Sequence, residues 1–422
     1  MSKLLYRQCL MRAAGASLFA LWLGCGVAGA QNAGSIKIGV LAPLTGVVAS
    51  GGKEMVEAFN FYWDTHGKKA GGRAVELMIE DDASNPDTAL QKARRLVEQN
   101  KAHFLIGDLL ANTGLAVAEY VKSNGTPYFI PIIAADDLTQ RHRIPNVVRI
   151  AGYTASQMPR PLAEWAVKKK GMKKFVTISQ DYTFGHEQCG GFAQLATELG
   201  GSIVAQHWNP LNTQDFSPYL AQISGAAPDA VFAMETGADA SRFIQQFAAF
   251  GLKGRIPVLG AMNATDQSVI RTLGPECEGI YSSAHFCEGS DTPVTAKFVA
   301  DYEKSFNKLP SLYGFSMYSG AMWLAAAIEA VKGNVEDRGK FLDAVRHVTL
   351  KDSPLGRPVR LDNYGNPIYD VFIRETKRRA DGKFWNVPVD VYPNVSQFWT
   401  YNPEQYLKQP PYSRNYQGIK KT

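Results

Sequence analysis

Short apolar, β-branched runs alternate along this chain with longer stretches in which apolar residues recur every three to four positions. Runs at 36–41, 75–80, 104–106, 128–132 and 147–150 have the length and residue types of buried strands. Between the second and third, Asn85 is placed to cap a helix with Pro86 in its first turn, and Ala89, Leu90, Ala93, Leu96 and Val97 fall on one face. Strands joined by such helices must run parallel, because a tight turn cannot link parallel neighbours. This predicts a doubly wound α/β sheet. After residues 151–157 the rhythm starts again, with strands at 175–178, 203–206, 230–233 and 257–260 and helices at 185–199, 218–224 and 240–250. No low-complexity linker separates the two sets, so a short hinge near Ala151 is expected to join two lobes of one design. Ligands of doubly wound sheets bind beyond the carboxyl ends of the strands. The natural site is then the cleft between the lobes. Residues 362–367 (DNYGNP) read as a turn between strands.

The first thirty residues change the picture of where the chain works. Lys3, Arg7 and Arg12 precede an apolar stretch from 13 to 23 and the small residues Ala28, Gly29 and Ala30, the order of a secretory signal peptide cleaved after Ala30. The apolar stretch is about half the ~20 residues of a membrane-spanning helix, and no later segment is apolar over that length. The exported chain is therefore not expected to span the membrane, with lipid anchoring at Cys25 a minor alternative. Gly24, Gly26 and Gly29 spell GxGxxG in a segment that export removes, so the motif carries no weight. Export also removes three basic and no acidic residues, taking the formal charge from +6 to +3. That balance gives no reason to expect nucleic acid or an anionic membrane as partner. The remaining ~390 residues suit two domains rather than one core. Cys189, Cys277 and Cys287 survive; in an oxidising compartment Cys277 and Cys287 can pair, and three buried thiols are the alternative.

Enzymatic chemistry finds little support. His66, His103, His142, His186, His207, His285 and His347 form no HExxH or paired metal spacing, and no GxxxxGK[ST] phosphate loop is present. Gly314, Ser316 and Tyr318 approach a nucleophile elbow but lack its final glycine. Neither cofactor nor metal is expected.

The succession of motifs from 36–46 (IKIGVLAPLTG) through 80–86 (EDDASNP), 105–107 (LIG), 137–141 (DLTQR), 181–185 (DYTFG), 215–218 (DFSP) and 228–232 (PDAVF), with the segment 313–318 and its following helix, resembles the branched-chain amino-acid-binding proteins, type I periplasmic binding proteins that serve ABC importers. The resemblance covers roughly residues 35–375. It implies two Rossmann-like lobes of parallel sheets flanked by helices, joined by three crossings near 149–153, 280–284 and 353–357. The first lobe would take 34–150 and 284–353, and the second 151–283 and 354–422. It also implies a periplasmic protein whose partners are a small-molecule ligand and an importer permease, with a ligand sensor on the same fold as the rival role. The tail from Arg374 onward, rich in Trp and Tyr, is too aromatic for a disordered linker and is expected to pack over the second lobe or a partner.

Ligand class is where the chain departs from the resemblance. Family members hold the ligand carboxylate at loops matching 110–113 and 133–135, where Ala111 and Ala134 replace hydroxyls, while Asn112, Thr113 and the backbone around Ile133 and Ala135 still offer donors. The acid that pairs with a ligand ammonium aligns near Met262, and an unpaired buried ammonium costs several kcal/mol. A family aromatic aligns with Gly51, which opens space. Tyr182, Phe184, Tyr153 and Tyr313 or Tyr318 can supply aromatic walls, and Thr236 a further hydroxyl. Glu235 and Asp239 read as a solvated loop, with replacement of the missing acid as the alternative. An aromatic or apolar carboxylate is expected over leucine, isoleucine or valine, with an amide the weaker choice.

Overall fold

The structure is a computed structural model and describes residues 34–419. The signal peptide, the glycine motif within it and Cys25 lie outside the described residues. Six strands build the first sheet: β1 (Ile36–Ala42), β2 (Lys69–Ala70), β3 (Arg73–Asp81), β4 (Phe104–Gly107), β5 (Tyr128–Phe129) and β6 (Val147–Val148). Their order is β2-β3-β1-β4-β5-β6, parallel throughout except for the short β2–β3 hairpin. The second sheet holds β7 (Lys174–Gln180), β8 (Ser202–Asn209), β9 (Ala230–Met234), β10 (Val258–Gly260), β11 (Tyr281–Ala284), β12 (Tyr369–Arg378) and β13 (Phe384–Val395) in the order β13-β12-β11-β10-β9-β7-β8. Here β7 to β11 are parallel, and β12 and β13 add an antiparallel edge.

Leaving aside β2 and the antiparallel edge, both sheets repeat one pattern: the first strand lies between the second and the third. Each therefore has one switch point where the connections change direction, and that is where doubly wound sheets bind ligands.

Among the described residues twelve α-helices flank the sheets: α1 (Ala49–Thr65), α2 (Pro86–Arg94), α3 (Ala111–Asn124), α4 (Pro159–Glu164), α5 (Thr183–Glu198), α6 (Ser217–Ala226), α7 (Gly237–Ala249), α8 (Gln267–Ile270), α9 (Pro293–Phe306), α10 (Leu312–Ala330), α11 (Arg338–His347) and α12 (Pro403–Tyr406). The Asn85 side chain accepts from the amides of Asp87 and Thr88 and starts α2 as its sequence indicates. β9 is buried along its whole length, which is why its sequence is continuously apolar rather than alternating. β5 ends at Phe129, short of the expected 132, because Pro131 has no amide to continue the ladder. The chain passes between the sheets after β6, after β11 and before β12. After the second passage α10 packs along α1, and Phe341 of α11 sets its ring against Phe104 and Phe129 of the first sheet, with centroids 5.1 and 5.7 Å apart.

The aromatic tail folds back on the second sheet's helices. Arg160 of α4, fully buried, donates to the Gln397 carbonyl at 2.7 Å and to the Tyr406 and Tyr412 hydroxyls at 2.7 and 3.0 Å. Its guanidinium also lies over the rings of Tyr401 and Tyr406. The proposed Cys277–Cys287 bridge is corrected: all three described cysteines are free and buried. Cys277 sits in the core beneath the second sheet with its thiol on the Gly274 carbonyl, whereas the Cys287 thiol turns to the Asn386 carbonyl.

Candidate functional site

Loops from both sheets meet at their carboxyl ends around a narrow cavity of about 10 Å³, room for about one water molecule between the facing side chains. The first lobe supplies Leu109 and Ala111 after β4, Ile132 and Ala134 after β5, and Tyr313 from the first turn of α10. The second supplies Tyr182 and Phe184 after β7, Thr236 after β9 and Asn263 after β10, and Tyr153 comes from the first crossing. Three of these loops, after β4, after β7 and after β9, lie at the switch points of their sheets.

Three helices start here, α3, α5 and α7, and none has a side chain capping its first turn at Leu110, Tyr182 or Thr236. Unsatisfied first-turn amides and the positive end of the helix dipole favour an anion. The lining side chains carry no charge. Burial holds the phenols of Tyr153, Tyr182 and Tyr313 well above their ordinary range, so all three remain hydrogen-bond donors. Asn263 Nδ2 donates to the Tyr313 hydroxyl at 2.9 Å, leaving that O–H free to donate onward. The Thr236 hydroxyl donates to Gln180 Oε1 at 2.7 Å, and Gln180 Nε2 to Asp239 Oδ2 at 2.5 Å, so Thr236 can only accept from a ligand.

Seven residues singled out in the sequence line the cavity, Ala111, Ala134, Tyr153, Tyr182, Phe184, Thr236 and Tyr313, whereas Tyr318 packs away from it against Phe61, Tyr62 and Phe298. The other six stand behind the cavity. The Thr113 hydroxyl is bound to Asp108 Oδ1 at 2.5 Å and points away from any ligand. Ile133 packs under Gly114 of α3, and the carbonyls of Ile133 and Ala135 accept from the buried Arg149 guanidinium at 3.2 and 2.5 Å. Asn112 does not line the cavity, although its Oδ1 is buried without a partner. Met262 is buried with its carbonyl on Arg374, and the next residue, Asn263, is the one that reaches the cavity. Gly51 does not leave open space, because the Tyr313 ring fills it: a Cβ there would meet two ring carbons at 2.9 Å.

Glu235 and Asp239 are not a solvated loop; both are fully buried. Asp239 is held by Gln180, Arg242 and the Asn212 amide, and Glu235 accepts from Asn209 at 3.2 Å with burial pushing its carboxyl well above the usual range. Neither acid lines the cavity. Leu109, Ile132 and Asn263 had no local sequence signal and are identified only by where their loops end.

A family model described as a periplasmic binding protein matches residues 35–383. Leu/Ile/Val-binding protein homolog 6 of Brucella abortus is 28% identical over 371 residues, covering 86% of this chain and 93% of the relative. An ABC transporter substrate-binding protein from Sphaerobacter thermophilus is 31% identical with a TM-score of 0.80, covering 86% of this chain and 99% of its own. The solute-binding protein of an ABC transporter from R. palustris, in complex with benzoate, is 29% identical with a TM-score of 0.79, covering 85% and 98%.

Proposed function

This chain belongs to the periplasmic binding protein family, and we propose that it captures a small aromatic carboxylate between its lobes in the periplasm and delivers it to the permease of an ABC importer. Its fold is that of ABC-transporter substrate-binding proteins, and the family binds substrates rather than converting them. One observation carries the ligand class: the cavity is walled by Tyr153, Tyr182, Phe184 and Tyr313, offers phenol and amide donors, and has no acidic side chain on its lining. A carboxylate finds donors there and a ring finds aromatic faces, whereas an ammonium finds no counter-charge and costs several kcal/mol to bury. The benzoate-bound relative supports the same reading.

The lobes, 34–150 with 284–353 and 151–283 with 354–422, would move as units about the three crossings. Ligand bridging both stabilises the closed arrangement by its differential affinity for it. An aliphatic amino acid is the second reading, favoured by the name of the Brucella relatives. A thermal-shift series of benzoate, 4-hydroxybenzoate, leucine and an aliphatic amide tests both. A ligand at 100 times its Kd adds about 2.7 kcal/mol of stability, so the aromatic acids are expected to raise the midpoint and leucine to leave it. A response to leucine with none to either aromatic acid overturns the assignment.

A further inference from the structure

Outside the candidate cavity, two segments of the second lobe reach charged groups of the first: the turn between β12 and β13, where Arg379 and Lys383 pair with Glu303 of α9, and the segment that follows β10. The loop after β10, with α8 and Arg271 behind it, faces the start of α10 and the side of α1. Asp266 Oδ2 accepts the Leu312 amide of α10 at 2.6 Å, while its Oδ1 accepts from the amide and hydroxyl of Ser268. Arg271, at the end of α8, forms an ion pair with Glu54 of α1 and donates to the Leu309 carbonyl at 2.8 Å. Glu54 is 3% exposed. Besides Arg271, its charged neighbours are Asp266, a like charge, and Lys308, which stands 3.8 Å away and is committed to Glu57 at 2.9 Å. Three groups of one short segment thus bond across the cleft, counting the Asn263 amide on Tyr313.

We propose that Asp266 and Arg271 are a latch that holds the lobes closed and sets how long a captured ligand stays. The inference rests on the lobe closure proposed above, but not on the identity of the ligand. Neither side chain lines the cavity, so both act by positioning the lobes and not by touching ligand. In an open arrangement Asp266 loses the Leu312 amide and returns to water, Glu54 keeps Lys308 nearby, and Arg271 is solvated. The open state is thereby tolerated while the closed state gains two charge-assisted contacts that do not depend on ligand. Such contacts bias the closed population before ligand arrives and slow its escape afterwards.

Hydrogen exchange on the ligand-free protein tests the latch directly, reading the segment 309–314 in the wild type and in Arg271→Ala. Faster exchange there in the variant, with the β1 and β7 amides unchanged, is the expected result. Equal exchange in both proteins overturns the proposal. The double variant Glu54→Gln with Arg271→Ala is expected to exchange no faster than the faster single variant, whereas fully additive effects would show that the two residues do not act as a pair and overturn the latch. If Arg271→Ala does not fold, Glu54→Gln carries the same comparison. Benzoate release by stopped flow is expected to quicken about tenfold or more in Arg271→Ala, the scale of one lost charge-assisted bond. Release at the wild-type rate from a folded variant also overturns it, whereas failure of benzoate to bind the wild type counts against the ligand assignment alone.

Discussion

Replacing Gly51 by alanine separates the stability of the fold from the quality of the cavity. Gly51 lies in the first turn of α1, where alanine is favoured over glycine by about 1 kcal/mol in a helix. Its added Cβ would stand 2.9 Å from two carbons of the Tyr313 ring and 3.0 Å from Leu109, both of which line the cavity. Ordinary contact begins near 3.4 Å, so the ring must yield by about half an ångström, and the interior is too dense to absorb that freely. Overpacking of this kind costs about 1–3 kcal/mol. The helix gain offsets part of it, and the net loss of stability should stay below about 2 kcal/mol. A ring pushed away from Gly51 shifts the cavity wall it forms, so benzoate affinity should fall about tenfold, equivalent to about 1.4 kcal/mol. Titration calorimetry with benzoate, paired with urea melts of the ligand-free variant, reads the two effects apart. The neighbouring Gly52→Ala is the contrast: its Cβ would lie 1.9 Å from the Pro43 carbonyl oxygen, a backbone atom with no rotamer to relieve it, so the fold itself should suffer by about 3 kcal/mol or more. Wild-type benzoate affinity in a folded Gly51→Ala would refute the assignment of Tyr313 as a cavity wall.

Arg160→Ala should cost about 3 kcal/mol or more in urea melts and make the chain beyond residue 396 sensitive to limited proteolysis, since the Gln397 carbonyl loses its buried donor and the Tyr406 and Tyr412 hydroxyls, though still bonded to each other and to Gln194, lose the guanidinium they accept from. Thiol titration of exported protein is expected to find no reactive cysteine in the native state and three after denaturation, and peptide mapping to find Cys277 and Cys287 unlinked. Burial and the Asp108 carboxyl beside it push Asp82 up to about 9. The folded protein therefore holds a proton that the unfolded chain releases near pH 4, and stability should fall as pH rises between those limits, by up to about 1.4 kcal/mol per pH unit for one proton. Asp82→Asn should flatten that slope; an unchanged pH profile would remove Asp82 as its source.

The parallel core of both sheets was legible because β-branched runs and amphipathic helices alternate at regular spacing, and the Asn85–Pro86 start of α2 carries its own chemistry. The β12–β13 hairpin was not, since Pro388 and Pro393 interrupt the alternation of β13 and only its place at the sheet edge lets it keep them. In the cavity, the aromatic residues after β7 were recognisable as ring-bearing side chains in a strand-to-helix turn. The loop after β10 was read one residue early, at Met262 instead of Asn263, because a turn without periodicity gives no register. Gly51 was read as vacated space because a glycine says nothing about which distant ring packs onto it. Glu235 and Asp239 were read as solvated because their partners, Asn209, Asn212 and Gln180, come from other strands and loops.

The repeated strand order of the two sheets makes the binding pocket a joint product of two similar halves. Each half contributes the same kind of part, a loop leaving a strand and entering a helix by its amide end, and neither surrounds a guest alone. A change in one half's loop therefore alters one side of the guest's surroundings while the opposite side stands. Under the proposed binding mode, substituents on opposite edges of a ring would be met by separately encoded surfaces.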